Sequence, residues 1–237
     1  MEGTPAAEIG LPQCPMVVEL RKRAFDVILS SLVLALSAPV MLLCAAAIRL
    51  TSRGPVFFRQ VRLGLHGKEF TMLKFRTMLR NSEFEGDGLY SFNGDPRVTW
   101  VGALLRKASL DELPQLLNVV SGSMSIVGPR PAVTYEIGPY ETYTPPMRRR
   151  LEVRPGITGL AQVSGRNELD WDSKLELDLQ YIELFRESGI KIDLQIIFRT
   201  VSVVLGGRQV NEIPNADSAG PIANRARRAG RLEEPHD

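Results

Sequence analysis

Cysteine and histidine are scarce in this chain, which has two of each among 237 residues: Cys14, Cys44, His66 and His236. Cys14 lies in a proline-punctuated leader and Cys44 in an apolar run, so they build neither a disulfide framework nor a zinc site. His66 falls in a turn and His236 beside the end, and neither has a metal-ligand partner at a recognised spacing. An excess of charge of one sign is also missing. Lysine and arginine number 29 against 27 acids, a formal net charge of +2, too little to make a nucleic-acid binder by bulk electrostatics. No Gly-rich βαβ unit, P-loop, dinucleotide fingerprint or internal repeat is present. The length suffices for one catalytic domain with a sizeable core and short extras.

What is there begins with a long hydrophobic run. From Val27 to Ile48 no residue carries a charge. About 22 residues at 1.5 Å each make roughly 33 Å of helix, enough to cross a bilayer. Three features argue for entry and exit on the same face. Pro39 removes an N–H and clashes with the carbonyl of Ala35. Ser37 offers a hydroxyl to a freed backbone group. Both flanks are basic, with Arg21, Lys22 and Arg23 before and Arg49, Arg53, Arg59 and Arg62 after, whereas a simple pass has one basic and one bare flank. The expectation is a re-entrant helix-break-helix over 19–51; a proline-kinked single pass is the alternative. Glu2, Glu8 and Glu19, with the length of the run, argue against a cleaved signal.

Residues 1–18 carry Pro5, Pro12 and Pro15 without periodicity and read as a disordered leader. The fold class expected beyond the membrane segment is α+β, a compact, mostly helical cytoplasmic domain over 52–210 with a short β-hairpin, then a flexible basic tail over 211–237. Apolar runs around Gly54–Arg59 and Phe70–Phe75, joined by a Gly-containing turn, supply the hairpin. Residues 81–96 read as a mobile loop, and 98–118 as a helix interrupted at Gly102 and Pro114. Met124–Val127 is a strand, 140–151 a helix starting at Pro145-Pro146, Arg154–Gly159 a turn and Leu160–Ser164 a strand. Ser173–Arg186 has helical apolar spacing with Asp172 as N-cap. Ile192–Leu205 suits either the membrane interface or the core. Basic clusters at Arg21–Arg23, Arg148–Arg150 and Arg225–Arg231 read as contacts with anionic headgroups or as solvated surface.

Asp111 and Glu112 stand in Arg106-Lys-Ala-Ser-Leu-Asp-Glu-Leu-Pro-Gln-Leu-Leu-Asn118. Ser109 and Glu112 also have the spacing of a helix capping box. Basic residues one turn upstream, the stiffening Pro114 and the membrane segment favour chemistry instead. Free carboxylates ionise near pH 4 and repel a diphosphate, so an attacking aspartate needs a divalent ion and cations beside it. Three short motifs could hold that anion: Gly128-Pro129-Arg130-Pro131, Arg154-Pro155-Gly156, and Lys74 with Arg76 on a strand. Asp170-Trp171-Asp172 has the acid-x-acid form of GT-A-like glycosyltransferases, which gives a second reading: a membrane-anchored sugar-nucleotide enzyme using Asp170 and Asp172 and releasing UDP.

Taken in order, Lys22-Arg-Ala-Phe-Asp26, Gly54-Pro-Val-Phe-Phe-Arg-Gln60, Lys74-Phe-Arg-Thr-Met78, the segment Leu105–Asn118, Met124-Ser-Ile-Val-Gly-Pro-Arg-Pro131 and Arg154-Pro-Gly-Ile-Thr-Gly159 resemble the bacterial sugar transferases. These are the monotopic phosphoglycosyl transferases in their compact form, undecaprenyl-phosphate sugar phosphotransferases that initiate exopolysaccharide, O-antigen or glycoprotein glycan assembly. The resemblance runs from about Arg21 to Gly206. It implies a re-entrant helix broken at Ser37 and Pro39, a bacterial inner-membrane location with the catalytic domain cytoplasmic, and Mg2+ (or Mn2+) held by Asp111 and Glu112. It implies that Asp111 attacks a UDP-sugar, that UMP leaves, and that polyprenyl phosphate accepts the sugar phosphate. Arg130, Arg106, Lys74 and Arg154 would serve the phosphates. Membrane lipid is an implied partner, nucleic acid is not, and a homodimer is compatible. The break departs from the adjacent Ser-Pro of compact members: Ala38 is inserted, which bears on Ser37 more than on Pro39.

Overall fold

A computed structural model describes residues 16–79, 95–133, 140–165 and 169–205. The leader up to residue 15, most of the 81–96 loop and the 211–237 tail lie outside the described residues.

The chain opens with a helix, α1 (Met16–Thr51), 36 residues long, or about 54 Å if straight. Among the described residues it is the one helix long and apolar enough to cross a membrane. The helical assignment runs through Pro39 without interruption, so no non-helical residue breaks it at Ser37–Pro39. The Ser37 hydroxyl donates to Leu34 O at 3.5 Å. The middle of α1 leaves Leu32, Leu36, Leu42 and Leu43 exposed, while Asp26, Ser30, Cys44 and Ile48 near its two ends are buried.

The expected hairpin follows. β1 (Phe57–Leu63) and β2 (Glu69–Phe75) pair antiparallel from Phe57↔Phe75 to Leu63↔Glu69. Their turn puts His66 and Gly67 at positive φ, and a Cβ on Gly67 would lie 2.6 Å from the Tyr140 ring, so only glycine suits both demands. Phe75 and Met72 leave the same strand for different clusters, Phe75 with Cys44, Ile48, Val101 and Leu105, and Met72 with Val119 and Met124.

Helix α2 (Trp100–Lys107) starts at Thr99, whose side chain accepts from Gly102 N. It does not break at Gly102. A Cβ there would lie 2.0 Å from Thr77 O, so this glycine serves close packing. The break comes at Ala108 and Ser109, the latter left-handed at φ 54. A 3-10 turn, Leu110–Glu112, then runs into α3 (Gln115–Ser121), with Pro114 right-handed at its N-cap. Proline is tolerated here because a first helical turn has no intrahelical acceptor for its missing N–H.

Further along lie β3 (Ser125–Val127), α4 (Pro145–Arg150), β4 (Gly156–Thr158), α5 (Leu160–Ser164), α6 (Trp171–Ser188) and α7 (Ile190–Leu205). β3 and β4 pair parallel, Ser125↔Gly156 and Val127↔Thr158. Two sequence expectations shift by one element. Arg154–Gly159 contains the strand, and Leu160–Ser164 is helical. The cap of α6 is Asp170, accepting from Ser173 N, and Asp172 lies inside the first turn. The largest core cluster joins Val127, Leu160, Tyr181, Ile182, Phe185 and Ile196. α7 serves both alternatives foreseen for it: Ile192 and Ile196 are buried, while Leu194, Phe198 and Val201 are exposed.

Candidate active site

The acid pair sits where three elements converge: the 3-10 turn ahead of α3, the last residues of β2, and the loop after β3. The capping box expected at Ser109 does not form, since Ser109 is left-handed and makes no side-chain cap bond. Glu112 turns instead to β2, where Lys74 Nζ donates to its Oε1 at 2.8 Å. Arg130 Nη1 approaches the same oxygen at 3.8 Å. Arg106, on the last turn of α2, donates through Nε to Thr77 Oγ1 at 2.9 Å and acts electrostatically on Asp111.

Asp111 is half-buried. Loss of hydration pushes its pKa above the ordinary carboxylate value, Lys74 and Arg106 pull it down, and the adjacent Glu112 carboxylate pushes it up. Desolvation and cations therefore oppose each other at one carboxyl group. Neighbouring Leu110 packs on the cluster that joins Cys44 and Ile48 of α1 to Phe75, Val101 and Leu105, so the turn carrying the acid pair lies near the C-terminal end of the membrane-type helix.

Arg130 rests on a loop braced by its backbone. Gly128 N donates to Thr158 O at 2.9 Å and Gly156 N to Pro129 O at 2.9 Å. Arg150 Nη2 donates to Arg130 O at 2.6 Å, and the Arg150 Nε bond to Asp178 Oδ2 is also 2.6 Å. Arg62 Nη1 holds Pro131 O at 2.9 Å. The bracing leaves the Arg130 side chain 47% exposed, a guanidinium pre-placed at low entropy for an incoming anion.

Of the predicted site residues, Asp111, Glu112, Lys74, Arg106 and Arg130 come together. Arg154 does not join them. Its Nε donates to Gly122 O at 3.0 Å, at the opposite end of α3, where Arg23 donates to Val119 O and to Val120 O, the latter at 2.8 Å. These two cations complement the C-terminal dipole of α3. Arg76 does not face the acid pair with Lys74; its guanidinium holds the end of α1 through Arg53 O at 3.0 Å and Ser52 O at 2.9 Å. Asp170 is exposed and engaged in capping α6, which leaves the Asp170–Asp172 reading without a built site.

Within the Arg148–Arg150 cluster the burial is unequal, Arg150 being buried and Arg148 exposed. Arg150 pairs with buried Asp178, Arg149 with Glu183, and Arg148 lies over the Tyr140 ring at 5.6 Å. Sequence reasoning missed Thr77, Arg150, Asp178 and Asn118 as supports of the site. Asn118 carried a signal, closing the motif that contains the acids, and Thr77 stood in the Lys74–Met78 motif.

Comparison with known proteins shows the family. A family model described as "Bacterial sugar transferase" matches residues 17–207. The UDP-glucose:undecaprenyl-phosphate glucose-1-phosphate transferase of Caulobacter vibrioides is 46% identical over 202 residues, covering 83% of this chain and 74% of that protein. The "Uncharacterized sugar transferase EpsL" of Bacillus subtilis is 44% identical over 195 residues, 81% of this chain and 92% of that protein. The exopolysaccharide production protein ExoY of Rhizobium meliloti is 40% identical over 199 residues, 78% and 85% respectively. The chain belongs to the bacterial sugar transferase family.

Proposed function

We propose that the protein transfers a sugar-1-phosphate from a UDP-sugar to polyprenyl phosphate, undecaprenyl phosphate in a bacterial membrane, and releases UMP. The observation that carries this reading is Asp111 under the charge of Lys74 and Arg106, beside a Glu112 that Lys74 holds, on a turn that packs near the end of the membrane-type helix. The name of the Caulobacter relative supports the same donor and acceptor classes, and that of ExoY supports exopolysaccharide initiation.

In this reading an Asp111 carboxylate oxygen attacks the β-phosphorus of the donor. The bond to the UMP oxygen breaks, UMP departs with its electron pair, and an aspartyl-phosphosugar anhydride forms. An oxygen of the polyprenyl phosphate then attacks the same phosphorus and returns the carboxylate. Arg130 binds diphosphate oxygens. Lys74 holds Glu112 and, with Arg106, limits the repulsion between carboxylate and donor.

The donor set suits Mg2+ (or Mn2+). Two adjacent carboxylates, with no third His, Cys, Asp or Glu grouped beside them among the described residues, match an ion that takes one or two protein carboxylates and completes its shell with phosphate oxygens and water. Asp111 and Glu112 would hold it. When bound it supplies charge neutralisation at the diphosphate.

The membrane reading is a re-entrant α1 bent at Pro39, with the catalytic domain on the cytoplasmic face of the inner membrane. A helix that crossed the bilayer would put its ends on opposite faces. Here Lys22 and Asp26 near one end are tied to Asp193 and Ser125, and the other end is held by Arg76 and the Phe75 cluster. Both ends fastened to the same folded unit support entry and exit on one face. Exposed Trp100 and Leu104 on α2, and Leu194, Phe198 and Val201 on α7, extend the apolar surface that membrane lipid would cover.

The test is product identity. Purified enzyme with polyprenyl phosphate, screened against a panel of UDP-sugars, releases UMP with its proper donor, and Asp111→Asn releases none while still partitioning into membranes. Release of UDP, or full turnover by Asp111→Asn, contradicts the assignment.

A further inference from the structure

Asn118 lies seven residues beyond Asp111 in the run that begins at the 3-10 turn and continues as α3. Its carboxamide is buried, at 6% exposure. Among the described residues β2 has a strand neighbour on one edge only, β1. On the other edge Leu73 N donates to Asn118 Oδ1 at 2.9 Å. Asn118 Nδ2 donates to Thr71 O at 2.8 Å and approaches Ser123 Oγ at 3.3 Å. One side chain therefore satisfies the carbonyl and the N–H that flank Met72, as the N–H and C=O of a single residue in a parallel third strand would. The next residue along β2 is Lys74, whose ammonium meets Glu112.

The surroundings separate this role from general support of the fold. β2 keeps β1 on its other edge, and Met72 and Phe75, at 3% and 2% exposure, anchor the strand in two clusters. α3 is gripped independently at its C-terminus by Arg23 and Arg154. Removing the carboxamide takes its polar bonds out of the seam between β2 and α3, while Met72 still packs on Val119 across it.

We propose that Asn118 is a positioning residue for the transfer: by clamping the free edge of β2 to α3 it holds the Lys74 ammonium on Glu112 and fixes the acid pair against the donor. This rests on the reading of Asp111 and Glu112 as the reacting pair. A buried amide with both bonds made also resists rotation, because a displaced Leu73 N–H or Thr71 C=O would be left without a partner.

The experiment is a double-mutant cycle on the full-length enzyme, reading UMP release with the donor found by the panel and polyprenyl phosphate as acceptor. Rates are referred to folded protein measured by thermal melting. Asn118→Ser is expected to lower kcat tenfold or more and to change the donor KM less than threefold. Added to Lys74→Ala, the same substitution is expected to lower kcat less than twofold further, because the path it acts through is already gone. Equal fold-losses in both backgrounds, a loss confined to KM, or a loss that vanishes once referred to folded protein would overturn the proposal. Should Asn118→Ser not fold, Asn118→Asp is read in the same cycle with the same outcomes; it keeps the acceptor for Leu73 N–H and removes the donor to Thr71 C=O. A wild-type enzyme that forms no aspartyl adduct would instead sink the reading of Asp111, whereas an enzyme that forms the adduct but shows additive losses would sink only the role of Asn118.

Discussion

Asp111 and Glu112 have unequal surroundings although they are neighbours in the chain. Glu112 is already neutralised by Lys74 at 2.8 Å, whereas Asp111 feels Lys74 and Arg106 at longer range and loses hydration. That asymmetry suits one acid to attack and the other to organise. Lys74→Ala should lower kcat/KM by about 10²–10³, measured by UMP release. Arg130→Ala should act mainly on donor KM. Arg154→Ala should leave donor KM within about twofold and lower the melting temperature, since it removes a cation from the end of α3. A large KM effect at Arg154 would move that side chain back to the donor.

The second charged cluster gives a pH dependence. Lys22 lies 2.8 Å from both Asp26 and Asp193, so two carboxylates share one ammonium. Burial raises the Asp193 pKa, Lys22 and the Tyr181 hydroxyl oppose the rise, and Asp26 adds to it. The unfolded aspartate releases its proton near 3.8, and the folded one keeps its proton to higher pH. In that interval the native state binds more protons, so this contribution is full below the unfolded value and is lost as pH rises through the folded one. The melting temperature of wild type relative to Asp193→Asn should therefore fall from about pH 4 upward. A difference independent of pH would contradict a raised Asp193 pKa in the folded protein.

At the scale of elements, the hairpin, β3 and the long apolar helix were legible because local pattern determines them. Gly102, Pro114 and Ser109 were not. Whether a glycine breaks a helix depends on what packs against it, and Thr77 O, which forbids a Cβ at Gly102, comes from a separate segment. Ser109 has the composition of a cap but a left-handed backbone, so Glu112 was released to Lys74, a partner 38 residues away. The partners of the Arg148–Arg150 cluster were hidden for the same reason. Asp178, Glu183 and the Tyr140 ring are tertiary partners that composition does not reveal. Breaking the buried Arg150–Asp178 pair with Asp178→Asn should cost about 3–5 kcal/mol and loosen the Arg130 loop, seen as a lower melting temperature together with a raised donor KM. For α1, cysteines introduced at positions 15 and 55 in a background lacking Cys14 and Cys44 should both label from the cytoplasmic face. Labelling from opposite faces would restore a single pass and leave the chemistry untouched.

Taken whole, the molecule is an apolar helix with a small α+β unit fastened to both of its ends, and the acid pair sits close to where α2 meets that helix. In the proposed reaction this arrangement would bring a water-soluble nucleotide donor and a lipid acceptor to one carboxylate from different phases. It also fits a reaction in two displacements, since one oxygen can serve both substrates in turn without an aqueous and a lipid substrate being aligned together. The most direct measurement is intact and peptide mass spectrometry of enzyme quenched after exposure to its UDP-sugar without acceptor. The account predicts added mass equal to one sugar phosphate, mapped to the peptide carrying Asp111, discharged by polyprenyl phosphate and absent in Asp111→Asn. Unmodified protein at full donor occupancy, with kinetics that require both substrates bound at once, would contradict it.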